Sequence, residues 1–417
     1  MDPWSAFRVI FISLLPPLKG VRVLDLSTVV AGPTATMILA DLGADIIKVE
    51  RIDGGDDART MPPHRGPWSS YFVPINRGKR SISLDLRNPA GREVVLKLAE
   101  TCDVCVENFR GGKAADLGLD EPAIRARKPD IIYASLSAYG SSGPDYTKPG
   151  YDPILQARSG IMSVTGVNAD TPMRAGVSIL DMGAGVWMAL GIVTALFERQ
   201  RSGRGQRVDA SLLQTGVMLM SYHLLYRQFT GLNPRPEGSR HAAFAPYGAF
   251  TTADGAIMIG ISNNRLFRRL CKALDRTHWP DELCYSTNAE RCRNRAGLES
   301  QIADLLRTKP TAHWVSVFKE NDVPNDIVQN AEQVLHDPQL AAINALAEIG
   351  LCGEQPATIP RLPIALSLTS ASPAGPPPEL GEHSRVILRE AGYSDPEIDE
   401  LVRVGACGAE AAPTAQD

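Results

Sequence analysis

"VRVLDLSTVVAGPTATMILADLGADIIKVE", residues 21–50, reads as a strand, a turn, a helix and a second strand. Pro33 sits just inside the helical stretch and Gly43 just beyond it, the usual asymmetry of helix starts and stops. A βαβ unit of this kind commits its two strands to lie parallel. Glu50 falls at the tip of the second strand, where dinucleotide folds carry their ribose ligand. The turn "VVAGPT", however, lacks the G-x-G-x-x-G fingerprint, so the unit carries no signal for a nicotinamide or flavin.

Further strands are expected at "RSISLDL" (80–86), "DVCVEN" (103–108) and "DIIYASLSAYG" (130–140), with helical stretches such as "GREVVLKLAET" (91–101) between them. Strands alternating with helices predict an α/β fold whose parallel sheet is covered on both faces. Residues 205–231 read as a strand and a long helix, and 247–336 as a smaller α+β unit with a hairpin turning at Asp254-Gly255. The expected organisation is a large Rossmann-like domain over 20–213, a linker over 214–238 and a small α+β domain over 239–336. A second linker (337–364) then leads back to the large domain over 365–417.

The chain has 417 residues, 44% of them apolar, and a formal net charge of −4. It is long enough for more than one core and has no basic run to track a phosphate backbone, which argues against a nucleic-acid partner. Seven scattered cysteines form no disulfide framework and point to a reducing, cytoplasmic setting. Cys102 and Cys105 make one C-x-x-C at the start of a buried strand, without a second pair at zinc spacing, so no metal is expected. The apolar run Phe7 to Leu15 is too short to span a bilayer, and no other segment reads as transmembrane.

A second stretch, "GVSILDMGAG" (176–185), reaches an aspartate and breaks into glycines before a segment that is apolar from Val186 to Phe197. Asp181 therefore reads as the N-terminal residue of an interior helix, where its carboxylate can cap free N–H groups. Gly183 and Gly185 also leave a carboxylate open to a ligand.

Ordered blocks along nearly the whole chain resemble the class III coenzyme A transferases, the family of the CaiB/BaiF proteins and formyl-CoA transferase. They include residues 24–51, "NRGKRSISLDLR" (76–87), "DVCVENFRGG" (103–112), "GYDPILQARSGIMSVTG" (150–166), 177–213, "APYGAFTTADG" (245–255) and "PPPELGEHSRVILRE" (376–390). The resemblance implies that Asp181 is the nucleophile, attacking a thioester to give a mixed anhydride and then an aspartyl-CoA thioester. It implies a CoA site built from Val29, Ala31, Arg51, Leu84, Arg87, Asn108, Phe109 and Arg110, with Tyr151 walling the substrate pocket. Val29, Leu84 and Phe109 are equally readable as core residues, and Arg51 and Arg87 as surface charges. Asp116 stands near where some members carry a basic residue. The implied substrates are an acyl-CoA, succinyl-CoA in first place, and a carboxylic acid, with no prosthetic group. The implied assembly is an interlocked homodimer, with no membrane attachment.

α-Methylacyl-CoA racemases share the fold but carry histidine where this chain has Tyr151, and tyrosine is a poor proton shuttle at neutral pH. A CoA-binding protein without catalysis is the other alternative, and it would be expected to have a damaged nucleophile block. Arg158, Arg174, Arg240 and His241 lie near pocket segments of the family and would suit a dicarboxylate.

Overall fold

The computed structural model describes residues 15–408, so most of the Phe7 to Leu15 segment and the end of the tail lie outside the described residues. The opening stretch forms the expected unit: β1 (Arg22–Asp25), α1 (Ala31–Asp41) and β2 (Asp45–Glu50). Gly43 ends the helix with a positive φ of 100°, a backbone state that costs glycine little.

Strands β3 (Arg80–Ser83), β4 (Val104–Glu107), β5 (Ile132–Ser137) and β6 (Arg207–Ser211) complete a six-stranded sheet. All five pairings are parallel, in the order β3-β2-β1-β4-β5-β6. Strand order reverses between β1 and β4, and in open parallel sheets ligands bind outside the carboxyl ends of the strands at such a point.

On one face, Leu24, Ile47, Ile82 and Cys105 pack against α2 (Pro89–Ala99), against Ile124 of α3 (Glu121–Arg127), and against Ile387 and Ile398 of the C-terminal helices. Cys102 and Cys105 are both buried there, and burial pushes the Cys102 thiol up to about 12, so both act as apolar residues. On the other face lie α1 and α5 (Ile179–Ser202), the latter reached through α4 (Asp152–Ser159). The helix α6 (Leu212–Leu219) follows β6 and packs on α4 and α5.

The helix α5 differs from the expected all-round interior helix. Ala184, Gly185, Met188, Ala189 and Ile192 are buried, but Val186, Trp187, Leu190 and Phe197 stay 44–62% exposed. It is also long and apolar enough to cross a membrane by length and composition, which corrects the reading that no such segment exists. Its buried side packs on α1 and the sheet.

The chain divides into two compact units. The first comprises residues up to Ser159, Gly176–Ser221 and Pro338 onward; the second comprises Gly160–Ala175 and Tyr222–Asp337. Three boundaries therefore differ from expectation. Residues 160–175 group with the smaller unit. The supposed linker 214–238 is largely helical, through α6 and Ser221–Thr230. The supposed linker 337–364 belongs to the larger unit, where Leu346–Leu351 and Glu354–Pro360 form a hairpin whose Ile349, Leu351 and Ile359 pack on Trp68 and Phe72. Alternating short apolar runs in a polar context gave little sign of that hairpin. The smaller unit contains the antiparallel strands Tyr247–Thr251 and Ala256–Gly260, extended by Asn325–Ile327.

The glycines after Asp181 pack helices together. A Cβ at Gly185 would lie 2.8 Å from the Ala31 carbonyl oxygen and from Thr34 Cβ, and one at Gly183 would lie 3.0 Å from Thr215 Cγ2. Gly185 is therefore what lets α5 approach α1. Gly185→Ala is expected to cost about 1–3 kcal/mol of stability, because a backbone carbonyl must move. Urea unfolding measures this, and an unchanged midpoint would contradict the packing role.

Candidate active site

Asp181 is the third residue of α5 rather than its cap. The N-cap residue, Ser178, makes no side-chain cap bond. The free N–H groups of the first turn are taken by a carboxylate from another element: Leu180 N and Asp181 N donate to Asp152 Oδ2 at 2.7 and 3.2 Å. Asp152 opens α4, is 2% exposed, and accepts on Oδ1 from Gln156 Nε2 at 2.5 Å. An acidic group at a helix N-terminus is favourable. Here that position belongs to Asp152, and Asp181 is left beside a second negative charge.

The consequence is electrostatic. Burial, and next the charge of Asp152, push the Asp181 carboxyl from 3.8 up to about 7. Burial and the adjacent Asp152, which occupies the first-turn donors, thus keep Asp181 from being fully ionised near neutral pH. A carboxylate poised near neutrality is more basic than an ordinary one, and carboxylates so perturbed cluster at functional sites.

Next to this turn of α5 lies the first turn of α1, where Thr34 Oγ1 is 3.5 Å from Met182 Sδ, and the turn between β1 and α1 leads directly into it. Side chains hold that turn together. Asp25 Oδ1 accepts from Ser27 N and Oγ, Asn108 bonds both Thr28 N and Thr28 O at 2.9 Å, and Asp56 Oδ1 accepts from Val29 N at 2.9 Å. Val29 has a φ of 68°, which is uncommon for a β-branched residue. Asn108, just after β4, thus ties the end of that strand to the β1–α1 turn, where the strand order reverses.

Because the sheet is parallel, the segments expected to hold CoA all follow the carboxyl ends of its strands: Val29 and Ala31 after β1, Arg51 after β2, Leu84 and Arg87 after β3, and Asn108, Phe109 and Arg110 after β4. Their side chains differ in availability. Leu84 is fully buried in the sheet core and its backbone bridges to Cys407, so its side chain is structural. Phe109 is partly buried against the same core, with its N–H on Glu107 Oε2. Arg51 is paired with Asp57 and Arg87 with Asp85, with the Arg87 side chain 80% exposed. Arg110 Nε donates to the Thr147 carbonyl, and Arg110 lines a pocket of about 180 Å³ with Phe109, Glu107, Tyr146 and Arg207. Tyr151, immediately before Asp152, is 67% exposed. Glu50, noted above as a possible ribose ligand, is saturated by Arg59 and Ser81 at the base of the site.

Sequence reasoning missed Asp152 and Asp56. Asp152 was within reach, because it follows Tyr151 in the "GYDP" block already compared with the racemases. Asp56 lies in a polar run, "RIDGGDDART", in which nothing separates the buried aspartate from the exposed Asp53 and Asp57.

The chain matches the CoA-transferase family III over residues 18–384 and belongs to that family. It is 36% identical over 394 residues to the human succinyl-CoA:glutarate CoA-transferase, covering 94% of this chain and 90% of that one. It is also 36% identical to the succinyl-CoA:mesaconate CoA-transferase of Haloarcula hispanica, covering 90% and 96%. The crystal structure of a CAIB/BAIF family protein from Brucella suis superposes with a TM-score of 0.83 at 31% identity, covering 91% and 100%. The protein is a CoA-transferase, and its substrates include CoA thioesters.

A carboxyl is nucleophilic only when ionised, so the kcat/KM for acyl-CoA is expected to fall about tenfold per pH unit below about 7. Asp152→Asn removes the neighbouring negative charge but not the burial, so the acid limb should move only part of the way back toward 3.8. A pH profile of both proteins tests this, and an identical limb would exclude Asp152 as a cause of the shift.

Proposed function

We propose that this chain moves CoA from succinyl-CoA, or from another dicarboxylyl-CoA, to a carboxylic acid, with Asp181 as the nucleophile. The observation that carries the assignment is Asp181 itself: a partly exposed carboxyl in the first turn of α5, raised to about 7 and set beside the start of α1. The donor is suggested by the relatives named for succinyl-CoA.

The chemistry proceeds in four balanced steps. Ionised Asp181 attacks the acyl thioester carbonyl, the C–S bond breaks, and a mixed anhydride and free CoA thiolate result. The thiolate attacks the aspartyl carbonyl, releasing the donor acid and leaving an aspartyl-CoA thioester. The acceptor carboxylate attacks that thioester, displacing the thiolate and forming a second anhydride. The thiolate then attacks the acceptor's carbonyl, giving the new acyl-CoA and restoring the Asp181 carboxylate. The thioester's energy is kept throughout, so no nucleotide is hydrolysed.

In this reading Val29, Ala31, Asn108, Phe109 and Arg110 border the CoA site, Arg51 and Arg87 meet its phosphates after releasing their surface carboxylate partners, and Tyr151 borders the acid substrate. Leu84 supports the site from the core. The assembly we propose is a homodimer. The exposed apolar residues of α5, with Val217 and Met218 of α6, form a face suited to a second copy rather than to lipid. Seven free cysteines suit a reducing, cytoplasmic setting.

The test pairs an activity screen with a substitution. Purified protein with succinyl-CoA and a panel of carboxylic acids should yield new acyl-CoA esters by mass spectrometry, most strongly with dicarboxylates. Asp181→Asn should abolish transfer. It should also raise Tm at pH 8. A carboxyl whose folded pKa, about 7, lies above its unfolded 3.8 costs stability as pH rises from 3.8, and the full cost remains above pH 7. Exchange of the proton alpha to the thioester without transfer between acids would contradict the assignment and favour a racemase.

A further inference from the structure

Four charged side chains are sealed beneath the β1–α1 turn. Asp25, Lys48 and Asp56 are fully buried and Lys79 is 3% exposed. Lys48 Nζ bonds Asp56 Oδ2 at 2.8 Å and the Ser27 carbonyl at 2.9 Å, while Lys79 Nζ bonds Asp25 Oδ2 at 3.1 Å. Buried ion pairs are not an efficient source of stability, since apolar residues of similar size often serve as well. What this cluster does is fix backbone. Ser27 N, Ser27 O and Val29 N each end on one of its members, and Asn108 takes both polar groups of Thr28.

The residue most in need of such a hold is Val29. A β-branched residue with φ at 68° is a steric outlier that persists only where its surroundings over-determine it, and such strain collects at ligand clamps. Its N–H is held by Asp56, whose Oδ1 also accepts from Ala58 N and whose backbone N–H is fixed by Glu50. Asp56 is thereby tied to β2 through both Lys48 and Glu50, so the position of Val29 is referred to the sheet rather than to a loop.

We propose that Asp56, backed by Lys48, is a positioning residue for acyl-CoA binding: it holds Val29 in the left-handed conformation that shapes the β1–α1 turn, which leads into the start of α1 beside α5. This rests on the reading of that turn as part of the CoA site. Asp56 reaches no substrate; it acts through Val29. Released from it, Val29 relaxes to negative φ, and the turn loses the shape in which it receives the thioester.

The test is a cycle in which glycine replaces the strained residue, because glycine adopts positive φ without being held. In the Val29 background, Asp56→Ala should raise the KM for acyl-CoA roughly tenfold, the scale of one lost hydrogen bond to a charged group, with kcat changed much less. In the Val29→Gly background the same substitution should change KM far less, so that the two substitutions couple. A purely structural role lowers Tm in both backgrounds and leaves the KM ratio the same, and that result overturns the proposal.

Should Asp56→Ala fail to fold, Lys48→Met with Asp56→Ser removes both charges, leaves neither unpaired, and carries the same expectation. Calorimetry of CoA with the unaltered protein separates the two claims. Absence of CoA binding overturns the site reading and the inference with it. CoA binding together with an Asp56 effect that ignores residue 29 overturns the inference alone.

Discussion

The site depends on one carboxylate accepting two backbone N–H groups. Asp152 closes the start of α5 from outside the helix, and in doing so it fixes the backbone at Asp181 and adds its charge to the burial that raises the Asp181 pKa. A helix capped by a neutral side chain of its own would spare Asp181 the neighbouring negative charge and leave burial alone to raise its pKa. Using a second acid as the cap places two carboxylates side by side, which costs stability and leaves Asp181 more basic.

The parallel sheet supplies the rest of the arrangement. It carries the ends of β1 to β4 to a single edge, and Asn108 ties β4 to the β1–α1 turn where the strand order reverses. Gly185 then lets α5 lie close against α1, so that the first turn of α5, with Asp181, sits beside the start of α1. Distant segments of sequence converge because the register of the sheet and the absence of one side chain permit it.

Much of this was legible from local pattern. The βαβ unit with Pro33 and Gly43 was readable at once, because helix punctuation and strand periodicity are local properties. Asp181 stood out because an acid followed by glycines precedes an apolar run. What stayed hidden depended on tertiary burial. Nothing in "RIDGGDDART" marks Asp56 as the buried aspartate, and Glu50 reads as a ligand until Arg59 is seen to occupy it. The exposure of Trp187 and Phe197 was hidden for the complementary reason, since periodicity does not say whether an apolar face meets the same chain or another.

The central claim is that Asp181 takes part covalently, and oxygen tracing tests it most directly. When an acid labelled with oxygen-18 in its carboxylate accepts CoA from the aspartyl-CoA enzyme, one labelled oxygen becomes the bridge of the second anhydride. That oxygen stays on Asp181 when the thiolate attacks the acceptor's carbonyl. After a single turnover the peptide containing Asp181 should therefore gain about 2 Da by mass spectrometry, with one label retained in the new acyl-CoA. Label found only in the acyl-CoA, with the Asp181 peptide unchanged, would contradict the account.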